Sequence, residues 1–308
     1  PYKYHWIRDS ALVMRVILDE YNKTKNNKYL VLIINYVENE YHIQNLKTKS
    51  GLGEPKINID GTPFNGDWGR PQNDGPALRG IIMIKIFRML INTYPQICMN
   101  IIQKVIVKDL IYILSNYDKP CFDLWEEIIG WHFYTRLVQL KFIKEFIILN
   151  EEYKFKNFDN IAFIYKDLKG RLINDHTDDL NIISSFNTEG QIVKMFDASV
   201  ILGLCHIDYD FELLDDSFKG KFLNHSYELI KYFNSRYSIK NDLIGRYKND
   251  KYYNGHIWII CSLGICQLYL YLTKNNINEM YYKALKILNY IGSIDINLGP
   301  SFTSTFFI

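Results

Sequence analysis

The sequence predicts an all-α fold, a toroid of helices. Three observations predict it. Apolar residues recur with the helical period through most of the 308 positions. No run of alternating apolar and polar residues makes a convincing strand. Short turns alternate with long loops rich in Gly, Pro and Trp, which places those loops together at one end, where function is expected on a rigid scaffold.

About ten helices are expected. Asp9 or Ser10 caps the first, which runs to about Tyr21 with Leu12, Val13, Val16, Ile17 and Tyr21 along its apolar side. A second covers Lys28 to about Asn45. Lys49 to Asp74 is a long loop, of a kind uncommon in compact domains unless it serves a site. Pro76 at a first helical position opens the third helix, to about Asn92, and a fourth spans Met99–Tyr117. After a loop come His132–Asn150 and Asp159–Leu172, with Asn181–Gly190 irregular. Asp197 caps a buried helix, Ala198–Cys205. Ser217–Tyr237, His256–Thr273 and Met280–Tyr290 complete the set. No linker or repeat divides the chain, so a single domain is expected over 1–308. A plain bundle or solenoid is the bland alternative. It leaves unexplained why four of the five tryptophans, Trp6, Trp68, Trp125 and Trp258, fall in or beside loops.

Composition narrows the function. A net charge of +2 gives no basis for a nucleic-acid or polyanionic partner. The 48% hydrophobic and 23% charged content is that of a folded globular protein. The apolar segment Ile257–Leu272 carries Gln267 and is short for a bilayer span, so it reads as a core helix and no membrane partner is expected. Cys98, Cys121, Cys205, Cys261 and Cys266 form no CxxC pair, and His5, His132 and His256 are scattered. Neither a metal nor a cofactor is expected. Two glycosylation patterns, at Asn22 and Asn224, matter only in an exported protein. The sequence does not settle its location, with secreted or vacuolar placement preferred to cytoplasmic.

Four loop clusters carry the chemistry. The first is Tyr2 to Ser10, in which Arg8 and Asp9 follow Trp6. The second is Gly66 to Arg79, which projects Trp68 and Arg70 from a frame of Gly and Pro. The third is Asp123-Leu124-Trp125-Glu126-Glu127, and the fourth runs from Ile244 through Arg246 and the Tyr252-Tyr253-Asn254-Gly255 run to Trp258. Each has a bland reading alone: an acidic helix start, a surface ion pair, an ordinary turn. Together they suit a pocket that stacks a neutral polyol on rings and hydrogen-bonds its hydroxyls. A carboxyl beside an apolar ring is what glycosidic cleavage needs, because burial raises the pKa of a proton donor.

At these residues the chain resembles the glucoamylases, glycoside hydrolase family 15. The resemblance lies in Tyr-x-Tyr-x-Trp-x-Arg-Asp-Ser-Ala from Tyr2, Trp-Gly-Arg-Pro-Gln-x-Asp-Gly-Pro-Ala-Leu-Arg from Trp68, Asp-Leu-Trp-Glu-Glu-x-x-Gly from Asp123, and Gly-Arg-Tyr…Tyr-Tyr-Asn-Gly-x-x-Trp from Gly245. It covers nearly the whole chain, and Phe133–Lys141 looks closest to yeast-type fungal members. It implies an (α/α)6 barrel, here short of about one helix at each terminus. It implies Glu126 as general acid, with Glu127 and Asp123 as substrate-side and pKa-shaping partners. Arg8, Asp9 and Arg246 would grip the terminal glucose, Arg70 would join them, and Tyr2, Trp6, Trp68, Trp125 and Trp258 would form aromatic walls. The implied reaction is exo-hydrolysis of α-1,4-linked glucose, more slowly α-1,6-linked, with inversion to β-D-glucose. The implied partner is an α-glucan or maltooligosaccharide, and a monomer is expected.

Two departures qualify the resemblance. His256-Ile257 stand where the family commonly has Asn-Pro. The family's general base, a later Glu, has no counterpart motif before Ile308, so it is expected beyond that residue. That departure keeps open a non-catalytic, carbohydrate-sensing domain as a second reading. Another toroid glycosidase of trehalase type is a third, opposed by the Trp68–Arg79 run.

Overall fold

The computed structural model describes residues 3–156, 158–215, 217–238, 241–273 and 279–293. Ten main helices appear among them: α1 (Ile7–Thr24), α2 (Asn27–Ile43), α3 (Asp74–Leu90), α4 (Gln103–Asn116), α5 (Phe133–Tyr153), α6 (Ile161–Asn174), α7 (Ala198–His206), α8 (Ser217–Tyr237), α9 (Ile259–Leu272) and α10 (Glu279–Ser293). Six strands of two to four residues accompany them: β1 (Tyr4–Trp6), β2 (Lys56–Asn58), β3 (Cys121–Phe122), β4 (Ile129–His132), β5 (Ser185–Asn187) and β6 (Ile192–Lys194). Strands this short show no alternation that a sequence pattern could reveal. The chain divides into two compact units, Pro1–Trp131 with Thr135–Gly170, and His132–Tyr134 with Arg171–Ile308. The division at Gly170 falls inside α6, where no change in composition marks it.

In the first unit, Lys25 in a left-handed conformation ends α1, and the Asn26 side chain accepts from the Lys28 N–H to start α2. The first helix differs from its sequence reading. Its cap position is Trp6, not Asp9 or Ser10, because strand β1 leads straight into it. Its buried face is Ile7, Arg8, Ala11, Met14 and Leu18, whereas Val16 is 49% exposed. Both faces carry apolar residues, so periodicity alone does not choose between them. Packing against neighbouring helices selects the other stripe, and Gly75 of α3 lies against Ile7 on it. Helix α3 starts at Asp74, which makes Pro76 its third residue rather than its first, and it is buried almost all round. Gly80 makes room for the Phe142 ring, which an added Cβ would meet at 2.3 Å.

A charged cluster runs through this core. Arg79 of α3 donates to both oxygens of Asp109 on α4, at 2.9 and 2.6 Å, and to Glu40 on α2 at 3.1 Å. The other Glu40 oxygen lies 2.6 Å from His5 Nε2 on β1. Arg79, Asp109 and Glu40 are at most 1% exposed. Desolvation pushes the Glu40 carboxyl up, but the His5 and Arg79 contacts outweigh it and hold the pKa below the ordinary value. Because β1 pairs antiparallel with β2, Trp6 faces Lys56 on one side of the ribbon while His5 and Ile57 face the core.

In the second unit, β5 and β6 form a hairpin. The Asp197 side chain caps α7 as expected, accepting from the Ser199 N–H at 2.7 Å. Helix α9 packs on α7 and α10 and begins at Ile259, since a 3-10 turn over Tyr252–Gly255 occupies the preceding chain. No helix among the described residues is long and apolar enough to cross a membrane. All five cysteines are buried and unpaired with one another. Asn22 is exposed, whereas the Asn224 amide donates to Asn181 at 2.9 Å.

Candidate active site

The acidic stretch forms the loop of a hairpin. Strands β3 and β4 pair antiparallel, and Asp123 closes the residues between them. Its Oδ1 accepts from the Glu127 N–H at 2.7 Å and the Ile128 N–H at 3.1 Å. Its carbonyl accepts from the Glu126 N–H at 2.9 Å. This tight loop sets Glu126 at φ +65°, a left-handed conformation that side chains other than Gly seldom adopt. A residue held there marks a place where position has been favoured over backbone ease. Gly69 fits beneath it, since an added Cβ would meet the Glu126 carbonyl at 3.1 Å and Phe122 at 2.7 Å.

The Glu126 carboxyl is half-buried, and Oε1 accepts from Gln72 Nε2 at 2.9 Å. Desolvation raises its pKa above the ordinary carboxylate value. Arg8, Gln72 and the Trp68 indole pull it down, while Asp9 adds to the rise. The net effect keeps a proton on this carboxyl to higher pH than on an exposed glutamate. Glu127, next in the chain, is exposed, and Trp125 is half-buried.

Around Glu126 lies a polar relay and an aromatic box. Arg8 donates to Gln72 Oε1 at 2.7 Å and pairs with buried Asp74. Lys56 is 2% exposed, and its ammonium lies 3.2 Å from the ring centre of Trp68, 4.3 Å from Phe64, 4.4 Å from Tyr4 and 4.6 Å from Trp6. Such faces stabilise a desolvated cation. Burial nonetheless lowers the Lys56 pKa, against the pull of Glu126 upward. Trp6 and Trp68 meet edge to face at 5.7 Å, leaving Trp68 42% exposed as an open wall. Arg70 clamps Glu54 through both Nε and Nη2 and donates to the Gly66 carbonyl, so it also holds the loop together. Asp9 is exposed at the start of α1. Tyr2 lies outside the described residues.

The fourth cluster is built within the second unit. Arg246 donates to Asp250 at 2.8 and 2.7 Å, and its guanidinium lies 4.7 Å from the Tyr252 ring and 5.4 Å from Trp258. Burial raises the Asp250 carboxyl, but bonds from Arg246 and the Tyr252 N–H prevail and hold it low. The Trp258 N–H donates to the Ile244 carbonyl, and the Ala198 N–H to that of Arg246. These bonds fix the whole loop against the start of α7. Gly245 fits where a Cβ would sit 2.5 Å from the His256 carbonyl oxygen.

Structure thus gathers Trp6, Arg8, Trp68 and Glu126 in one unit, and Arg246 and Trp258 in the other. Lys56, Gln72 and Asp74 were missed in the sequence. A lysine after Glu54-Pro55 in a polar loop gives no sign that it will be enclosed by rings. Among the described residues no group of three or more His, Cys, Asp or Glu side chains could hold a metal ion.

The fold and the site together define a helical chain that carries a proton-retaining carboxyl beside aromatic walls. Residues 1–297 match the model of glycosyl hydrolases family 15, and the chain belongs to that family. A glucoamylase-1 of Arthroderma benhamiae is 32% identical over 320 aligned positions, covering 96% of this chain and 48% of that protein. Two solved structures are similar: a Saccharomycopsis fibuligera glucoamylase, with TM-score 0.79, 26% identity and coverage of 95% of this chain and 70% of the other. The other is a Hypocrea jecorina family 15 glucoamylase, with TM-score 0.80, 28% identity and coverage of 94% and 52%. The fold class is therefore the (α/α)6 barrel expected from the sequence. The chain spans about half the length of the curated relatives it matches.

Proposed function

We propose that the protein containing this chain is a glucoamylase: an exo-acting hydrolase of α-1,4-linked, and more slowly α-1,6-linked, glucose at the non-reducing ends of glucans. The observation that carries this is the Glu126 carboxyl, half-buried, held by Gln72 and shifted to retain its proton beside the Trp68 wall. Membership of glycosyl hydrolases family 15 supports the same reading.

In this account Glu126 protonates the glycosidic oxygen as the bond to the anomeric carbon breaks. Arg8, bonded to Gln72 and Asp74, and Asp9 beside it present charged groups to sugar hydroxyls, and charge-assisted bonds are the stronger kind. Trp6, Trp68 and Trp125 offer flat faces for the ring. Arg246 and Trp258 carry the same two functions on the other unit, and the Tyr2, Arg70, Asp123 and Glu127 assignments remain part of the proposal. An inverting reaction requires a second carboxylate about 6.5–9.5 Å from the acid, to activate water. We assign it to the longer protein outside these residues, in keeping with the family pattern. Inversion then yields β-D-glucose.

The test is Glu126→Gln in the full-length protein. Turnover of maltotriose should fall by about 10²-fold or more while maltose binding is kept. Unchanged turnover would refute the assignment of the acid.

A further inference from the structure

Gln72 is 3% exposed, and three contacts define which way its amide points. Its Oε1 accepts from Arg8 Nη2 at 2.7 Å. Its Nε2 donates to the Gly69 carbonyl at 3.0 Å and to Glu126 Oε1 at 2.9 Å. A guanidinium offers only donors and a carbonyl only an acceptor, so the reverse orientation would set donor against donor and acceptor against acceptor. The amide nitrogen is thereby committed to Glu126. Arg8 is itself held by Asp74, and the Gln72 N–H donates to the Gly53 carbonyl at 2.8 Å. The arrangement is braced at both ends.

A carboxyl oxygen that receives this N–H has no room for its own hydrogen toward the same partner. From this we infer that Gln72 is a positioning residue that reserves Glu126 Oε1 as an acceptor and directs the transferable proton to Oε2. The inference rests on Glu126 being the acid, and it adds which oxygen delivers the proton and what decides it. In an acid free to protonate on either oxygen, part of the population would carry its proton on the wrong side. The other groups acting on the carboxyl are Arg8 and Asp9 of α1, Lys56 of β2 and the Trp68 indole, while Asp123 of its own hairpin is turned to the Glu127 and Ile128 N–H groups. The Trp68 indole also donates to the carboxyl, but an N–H alone cannot choose which oxygen keeps the hydrogen, whereas the Gln72 amide is tied to Oε1.

The test uses Gln72→Glu and Gln72→Leu in the full-length protein, with folding checked by circular dichroism. The Glu variant keeps the shape and the Arg8 partner but turns the committed donor into an acceptor. The introduced carboxyl and Glu126 must then share a proton, so Oε1 is no longer reserved as an acceptor. We expect kcat to fall about tenfold to a hundredfold with KM little changed. The alkaline limb of the kcat profile should rise by about one pH unit, since a bond favouring the ionised carboxylate is lost. Titration of the 13C-labelled Glu126 carboxyl, assigned by its loss in Glu126→Gln, reads the same shift without turnover. An unmoved titration in a folded variant overturns the proposal and leaves the acid assignment standing. If Glu126→Gln keeps its turnover while the titration still moves, the acid assignment falls and the Gln72 effect on the carboxyl remains.

Discussion

Replacing Arg79 by Met tests the buried charge cluster quantitatively. The variant removes the guanidinium that bonds both oxygens of Asp109 and one of Glu40. Glu40 keeps its His5 contact at 2.6 Å, so the group that loses its cationic partner is buried Asp109. Its escape is to take up a proton. An Asp in the unfolded chain ionises near ~3.9, and each pH unit above that adds ~1.36 kcal/mol to holding the proton. The loss is therefore about 4 kcal/mol at pH 7 and about 1.5 kcal/mol at pH 5. The first figure agrees with the roughly 3–5 kcal/mol usual for breaking a buried ion pair. The native variant binds a proton that its unfolded state does not, so its stability deficit grows as pH rises. Urea denaturation of the full-length protein at both pH values measures this. Adding Asp109→Leu should recover most of the loss, because a whole buried pair can be exchanged for apolar side chains at little cost. A deficit equal at pH 5 and pH 7, or below ~1 kcal/mol at pH 7, would refute the reasoning.

Two further predictions concern the second unit. Burial lowers the His225 pKa to about 4. The unfolded value is near ~6.5, so the unfolded chain binds more protons between the two, and stability is lost as pH falls through that window. The loss is about 3 kcal/mol in total and should be flattened in His225→Gln, measured by denaturation across pH 4–7. Gly245→Ala should destabilise by about 1–3 kcal/mol, because the new Cβ meets the His256 carbonyl at 2.5 Å and the Phe233 ring at 2.7 Å. A thermal melt within ~1 °C of the parent would contradict the crowding.

Much of this was legible in the sequence because helices announce themselves through period and caps. Asp197 was readable as a cap, and it is one. The loop tryptophans were readable as a set, and Trp6 and Trp68 do meet. What was not legible depends on distant pairing. Val16 looked buried, but the stripe of Ile7, Ala11, Met14 and Leu18 is the one that faces inward. Arg70 looked free to reach outward, yet Glu54, sixteen residues away, holds it. Lys56 carries no sequence signal, since its enclosure follows from the pairing of β1 with β2, which brings Tyr4 and Trp6 over it. Gln72 carries no signal by type, since its role follows from the three groups that surround it.

The central claim is a proton-donating Glu126 in an inverting exo-hydrolase. Proton NMR of maltotriose incubated with the full-length protein tests it most directly, through the anomeric signal of the first glucose released. The account predicts β-glucose before mutarotation. Early α-glucose would mean a retaining reaction and would contradict it, as would saturable binding of maltotriose with no glucose released.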